Sequence, residues 1–201
     1  MCQLSVVHMP KKEVRQKRAL IQYRQTLVKR RTQIKNNIRS ILEKECVVTG
    51  KGKSGWTKGV VSELRKAALP MDKCDADNLW RGQLFVELEM LESVGGSIEK
   101  VEASLDGQAK SDKQIQRLRR VSGIGPRLAE AVVAFIDEPG RFSSGKQVGS
   151  YAGLTPRQYQ SGAMDHQGKI SGAGNKVLRA LLVEVCWLGL RHNKWMRETY
   201  E

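Results

Sequence analysis

Between Glu13 and Glu45 the chain has no glycine and no proline, and its apolar residues return at helical spacing. Leu20, Tyr23, Leu27, Ile34, Ile38 and Ile41 are separated by 3, 4, 7, 4 and 3 residues. Such a seam predicts one long helix that buries a stripe against another helix. Its other faces carry Arg15, Lys17, Arg18, Arg24, Lys29, Arg30, Arg31, Lys35 and Arg39. A second seam, through Leu84, Leu88, Leu91, Ile98, Val101 and Leu105, is flanked by acids: Glu87, Glu89, Glu92, Glu99 and Glu102. Gly95-Gly96 falls inside it and, at about 1 kcal/mol per glycine relative to alanine, is expected to interrupt the helix. Between the seams, the glycine-rich basic stretch Val47 to Gly59 reads as a connection, followed by a short amphipathic helix near Val60 to Leu69. The simplest arrangement is an antiparallel, coiled-coil-like hairpin with the basic arm packed on the acidic one. Helix packing accounts for the apolar positions; only the outward basic face asks for a function.

That face holds most of the chain's excess charge. Residues 1–60 carry 15 basic and 3 acidic side chains, out of a formal net charge of +14 for all 201 residues. A basic segment repels itself unless a polyanion meets it, which points to nucleic acid, with a merely solvated basic face as the bland alternative. Arg24, Lys29, Arg30, Arg31, Lys35 and Arg39 are the candidate contacts. Cys2, Cys46, Cys74 and Cys186 form no Cys-x-x-Cys pair, so neither a disulfide framework nor a zinc knuckle is expected, and a reducing cytoplasm fits. The three histidines are scattered, no apolar run approaches bilayer length, and no signal peptide opens the chain.

From Asp112 the pattern changes. Lys113 to Val121 reads as a helix, Ser122 to Pro126 as a tight turn, and Arg127 to Asp137 as a second helix. Val-x-Gly-Ile-Gly followed by Ala129 is the pattern of a helix–hairpin–helix. Gly123 and Gly125 would let backbone N–H groups at the next helix start face a phosphate, with Arg120 and Arg127 adding charge. Such a motif positions DNA by its backbone and reads no sequence. A plain helical hairpin with a glycine turn is the competing account. Further on, Tyr159 to Arg179 is rich in glycine and polar residues and is expected to be a loop leading into an apolar helix capped by Asn175.

Taken together, VSGIGPRLAEAVVAFI, GRFSSGKQVGSYAGLTPRQYQSG and GKISGAGNKVLRALL resemble the C-terminal domain of bacterial insertion-sequence transposases related to the Piv DNA invertase. In that family a RuvC-like domain with an acidic DEDD metal site precedes a coiled coil and a serine-bearing domain, and some members are guided by a bridge RNA. The likeness covers nearly the whole chain and is most specific from Gly123 to Leu182. It implies a mainly α fold: a helical arm over residues 1–111 and a helical transposase domain over 112–201. It places Ser161, in Gln160-Ser161-Gly162, on the family's nucleophilic serine, with Arg157, Lys169 and Lys176 as partners for phosphate charge. Ser171 is the rival in the same loop, and His166 reads as a solvated loop residue rather than a base. The partners implied are DNA, a guide RNA and a second copy met through the helical arm, in a bacterial cytoplasm without a membrane.

Three departures from the family pattern shape the expectation. Met1 stands about ten residues before the basic arm, so the acidic domain that would hold magnesium is expected to be missing and no cofactor is expected in this chain. Gly172-Ala173 follows Ser171 where relatives usually place a basic residue, which would remove one phosphate contact. The end, HNKWMRETYE, falls where relatives continue into another basic helix. The sequence thus predicts a truncated transposase, inactive alone. The alternative is a non-enzymatic nucleic-acid-binding module, and a third class is a helical scaffold.

Overall fold

The computed structural model describes residues 8–47, 50, 52, 54–161 and 164–200. Part of the basic connection (residues 48, 49, 51 and 53), and Gly162 beside Ser161, lie outside the described residues. The chain is mainly helical. Among the described residues there are eight α-helices: α1 (Lys12–Lys44), α2 (Lys58–Ala67), α3 (Leu79–Ser111), α4 (Lys113–Leu118), α5 (Pro126–Ile136), α6 (Gly145–Ala152), α7 (Lys176–His192) and α8 (Lys194–Tyr200). Two strands, β1 (Pro156–Ser161) and β2 (Met164–Ile170), pair antiparallel between α6 and α7. The chain divides into two compact units, residues 23–103 and residues 1–22 with 104–201, so α1 and α3 each contribute to both.

In the unit of residues 23–103, α1 and α3 run antiparallel: Arg24 Nε donates to Glu102 Oε1 at 2.6 Å, and Asn37 Nδ2 donates to Glu87 Oε1 at 3.0 Å. Their buried stripe joins Ile34, Ile38, Leu42, Leu84 and Leu88 to Leu64 of α2 and to Ala68. The stripe drifts from the expected heptad positions. Tyr23 is 48% exposed, while Leu42 is buried beside the half-buried Ile41. Leu42 belongs to the same buried cluster as Leu64 and Ala68, so packing by α2 and the residue after it widens the stripe beyond the seam. α3 also passes through Gly95-Gly96 without a break. A continuous ladder on both sides of the glycines, with Ile98 and Val101 buried beyond them, outweighs about 1 kcal/mol apiece.

The other unit is built on α5. Seven of its eleven residues are buried, among them Leu128, Ala131, Phe135 and Ile136. Ile115 of α4 and Ala109 of α3 pack with Ala129 on one side, and α7 lies against another. Asp112 caps α4, accepting from Gln114 N at 3.0 Å and Ile115 N at 3.2 Å, and pairs with Lys17 at 3.3 Å. Two arginines close the far end of α5, where carbonyls lack helical partners. Arg18 donates to Ala134 O at 2.7 Å, and Arg141 donates to Ile136 O and Phe135 O, both at 3.1 Å. The basic face of α1 is therefore partly a structural one: Lys17, Arg18 and Arg24 spend their charge inside the protein. No helix of the described residues is long and apolar enough to cross a membrane.

Candidate functional site

Most of the stretch expected to be a loop is a β-ribbon. β1 and β2 pair as Gln158↔Gln167, Tyr159↔His166, Gln160↔Asp165 and Ser161↔Met164, with an irregularity between Pro156 and Gln158. All six residues of β1 are exposed. Among the described residues of this stretch, loop conformation is confined to Ser171–Asn175, and this segment is tied down. Ser171 N donates to Thr155 O at 2.8 Å and Asn175 N to Tyr151 O at 3.1 Å. Arg179 Nη1 donates to Gly172 O at 2.9 Å and to Ala152 O at 3.4 Å. Gly153 (φ 74°) and Gly174 (φ 139°) cross here so closely that a Cβ on Gly174 would stand 2.7 Å from Gly153 N. Asn175 Oδ1 accepts from Leu178 N at 2.9 Å, the cap foreseen for α7.

Alternation along β1 puts Arg157, Tyr159 and Ser161 on one face of the ribbon. Ser161 stands at the ribbon's far end, exposed, in register with Met164. Tyr159 stacks against His166, with ring centroids 6.5 Å apart and planes 29° from parallel. Arg157 Nη2 donates to Ser171 O at 3.4 Å. Lys169 is exposed on β2, and Lys176 is exposed as the first residue of α7. Of the residues singled out in the sequence, Arg157, Ser161 and Lys169 thus share the ribbon, and Lys176 lies just past its base. Ser171, the rival nucleophile, is half-buried in that base with its backbone engaged.

The Gly123–Gly125 turn joins α4, which ends at Leu118, to α5. Gly123 needs to be glycine, with φ at 93°. A Cβ there would sit 3.6 Å from Gly189 Cα, so the turn rests on α7. Gly125 is the N-cap of α5 at φ −77°, with open space where a Cβ would be. Arg120 is exposed. Arg127 is held by carboxylates: it pairs with Asp106 and, at 3.0 Å, with Glu130, whose side chain is 1% exposed. On α1, Lys29 and Arg30 are exposed, while Lys35 and Arg39 lie over the Trp56 ring at 4.7 and 5.5 Å. Burial, with Arg31 and Arg39 nearby, pushes the Lys35 ammonium below the ordinary lysine range. Sequence reading passed over Trp56 and Tyr159 as well as an apolar cleft of about 460 Å³ between α7 and α8, lined by Leu182, Cys186, Trp187, Leu190 and Trp195. Among the described residues no group of three or more His, Cys, Asp or Glu could hold a metal ion.

Residues 115–201, the segment from α4 through the ribbon to α8, match the model of the transposase IS116/IS110/IS902 family. They are similar to a transposase domain of that family. The chain is 31% identical to a "Probable family 20 transposase" of Pseudomonas aeruginosa over 185 residues, which is 89% of this chain and 52% of that protein. It is 30% identical to the transposase of insertion sequence element IS1111A of Coxiella burnetii over 176 residues, 88% of this chain and 47% of that one. A pilin gene-inverting protein of Moraxella lacunata is 39% identical over 66 residues, 32% of this chain and 20% of its own length. The chain spans about half the length of the first two relatives. The matched segment contains the ribbon, the Gly123–Gly125 turn and the glycine crossing.

Proposed function

We propose that this chain acts in DNA transposition, holding DNA and presenting Ser161 as the nucleophile of a strand-transfer step. The observation that carries the reading is the position of Ser161: exposed at the end of β1, on the same face as Arg157, inside the segment that matches the transposase family. In this step Ser161 Oγ attacks a phosphodiester phosphorus. The Oγ–P bond forms as a deoxyribose O–P bond breaks, the serine proton passes to a base, and the departing oxygen takes up a proton. The phosphoserine link keeps the energy of the broken bond for rejoining. Arg157, Lys169 and Lys176 offset the charge that builds on the phosphoryl oxygens.

The Gly123–Gly125 turn serves as a helix–hairpin–helix phosphate clamp, its open Gly125 leaving α5's first N–H groups approachable and Arg120 adding charge. Arg127 acts there by fixing the turn through Asp106 and Glu130. Lys29, Arg30, Arg31, Lys35 and Arg39 make up a phosphate-binding face for DNA or a guide RNA. The metal-dependent part of the chemistry is assigned to carboxylates of a partner, so the chain alone is expected not to cleave.

The test is complementation. The full chain is mixed, in magnesium, with a longer relative whose own serine has been replaced by alanine, and a labelled DNA end. A covalent adduct on this chain, lost in Ser161→Ala, is the expected outcome. An adduct that survives Ser161→Ala, or robust cleavage by this chain alone, would refute the scheme. The exposed basic face of α1 favours a second reading, a non-enzymatic binding module. In that case DNA affinity falls steeply with salt, as phosphate contacts require, but no adduct forms.

A further inference from the structure

We infer that Tyr159 is a stacking platform for one unpaired base of the DNA strand that Ser161 engages, a reading that rests on the assignment of Ser161 above. Tyr159 is 56% exposed, and its ring lies across the ribbon over Gly168, where a Cβ would come within 2.8 Å of Cε2. The absence of a side chain at Gly168 is what lets the ring lie there, with the His166 ring alongside at 29°. The ring is thus backed by the Gly168 backbone, and more than half of the residue is left to solvent. A two-stranded ribbon is marginally stable in water, and all of β1 is exposed, so this one gains from a partner that covers it.

The occupant is fixed by what flanks the ring. Residues two apart on a strand lie about 6.5 Å from each other, so Tyr159 has Ser161 on one side and the Arg157 guanidinium on the other, all on one face. The described side chains of that face (Arg157, Tyr159, Ser161 and His166) include no carboxylate. A cation, an open aromatic ring and a hydroxyl in this order suit phosphate, base and phosphate along one nucleic-acid strand. A base stacked on Tyr159 brings its adjoining phosphodiester toward Ser161. Within a duplex that base is hidden in its own stack, so the strand must be unpaired at this point. Stacking on one ring tolerates any base, so Tyr159 positions the strand and does not read it.

The experiment uses the full chain and a single-stranded DNA oligonucleotide carrying 2-aminopurine, with binding read by anisotropy and stacking by fluorescence quenching. A blunt duplex and an RNA of the same sequence are run beside it. Wild type is expected to bind the single strand more tightly than the duplex and to quench the probe. Tyr159→Phe should bind within about twofold of wild type. Tyr159→Leu, which keeps apolar cover over Gly168 but loses the π face, should bind about tenfold or more weakly without quenching, the loss of one base–aromatic stack. Tyr159→Leu behaving as wild type, or a loss seen with the RNA alone, would overturn the inference. Binding is read at equilibrium without cleavage, so a failure to trap Ser161 on DNA would strike the nucleophile and leave the platform to be judged on Tyr159.

Discussion

Gly153→Ala offers a sharp test of how the ribbon is anchored. The substitution has two separable costs. An alanine at φ 74° sits in the left-handed region, at about 1–2 kcal/mol. Its Cβ would also stand 2.5 Å from Ala173 O and 2.6 Å from Arg179 Nη1. The arginine can swing aside, but the carbonyl belongs to the backbone, so overpacking adds about 1–3 kcal/mol. Together they amount to about 2–5 kcal/mol, or about 10 °C in melting temperature for a unit of this size. Two neighbours isolate the terms. Gly172 is also left-handed, at φ 64°, but faces open space, so Gly172→Ala should carry only the first cost. Gly149 lies inside α6 with open space around it; there alanine should be neutral or stabilising by up to about 1 kcal/mol. Urea and thermal denaturation followed by circular dichroism would rank the three. If Gly172→Ala proves as damaging as Gly153→Ala, or if Gly153→Ala melts with wild type, the close crossing of Gly153 and Gly174 is not what holds the junction.

Arg127→Met should destabilise the chain by about 3 kcal/mol, because it removes the ion pair to the buried Glu130 carboxylate and that to Asp106, and denaturant unfolding would register it; loss of DNA affinity at unchanged stability would mean that Arg127 meets phosphate instead. Asn175→Ala removes the α7 cap and should cost about 1 kcal/mol, with Asn175→Asp retaining most of it in the same assay. Lys35 holds its proton less tightly in the folded chain than in the unfolded one, so its contribution to stability should rise as pH climbs through the window below 10.5, the ordinary lysine value. A polyanion seated on α1 should move that pKa back up, which the Lys35 side-chain resonances would report in an NMR titration; an unchanged pKa at saturating DNA would place the nucleic acid elsewhere.

How much of this was legible in advance depends on where the signal lies. α1 and α3 announced themselves because a buried stripe repeats along more than thirty residues, and the Asn175 cap and the Gly123 turn because their chemistry is local. The exact stripe is less legible, since the seam includes Tyr23, whereas tertiary packing buries Ile21 and Leu42 and leaves Tyr23 exposed. Gly95-Gly96 misled because propensity is a weak prior beside a long ladder of hydrogen bonds. The ribbon was read as a loop for a clearer reason. Arg157-Gln158-Tyr159-Gln160-Ser161 alternates between two wet faces, so the apolar period of two that normally marks a strand is missing. The sequence could single out Ser161 and Arg157 as candidates, but not that they share a face with Tyr159. Nor could it tell that Arg127 is occupied by Asp106 and Glu130, because those partners lie on α3 and within the buried side of α5.

The glycine crossing at the ribbon's base also bears on how such a protein changes over time. The chain leaves the helical body just after Gly153 and returns at Gly174, and the bonds that close this gap, Ser171 to Thr155 and Asn175 to Tyr151, use backbone donors and acceptors. Between them the ribbon is an excursion whose described side chains are mostly exposed, so its sequence bears little on the helical core. New residues can be tried there, lengthened or exchanged, without renegotiating the core, while the two glycines that shut the gate cannot drift. The ribbon is free to vary because its hinge post is not.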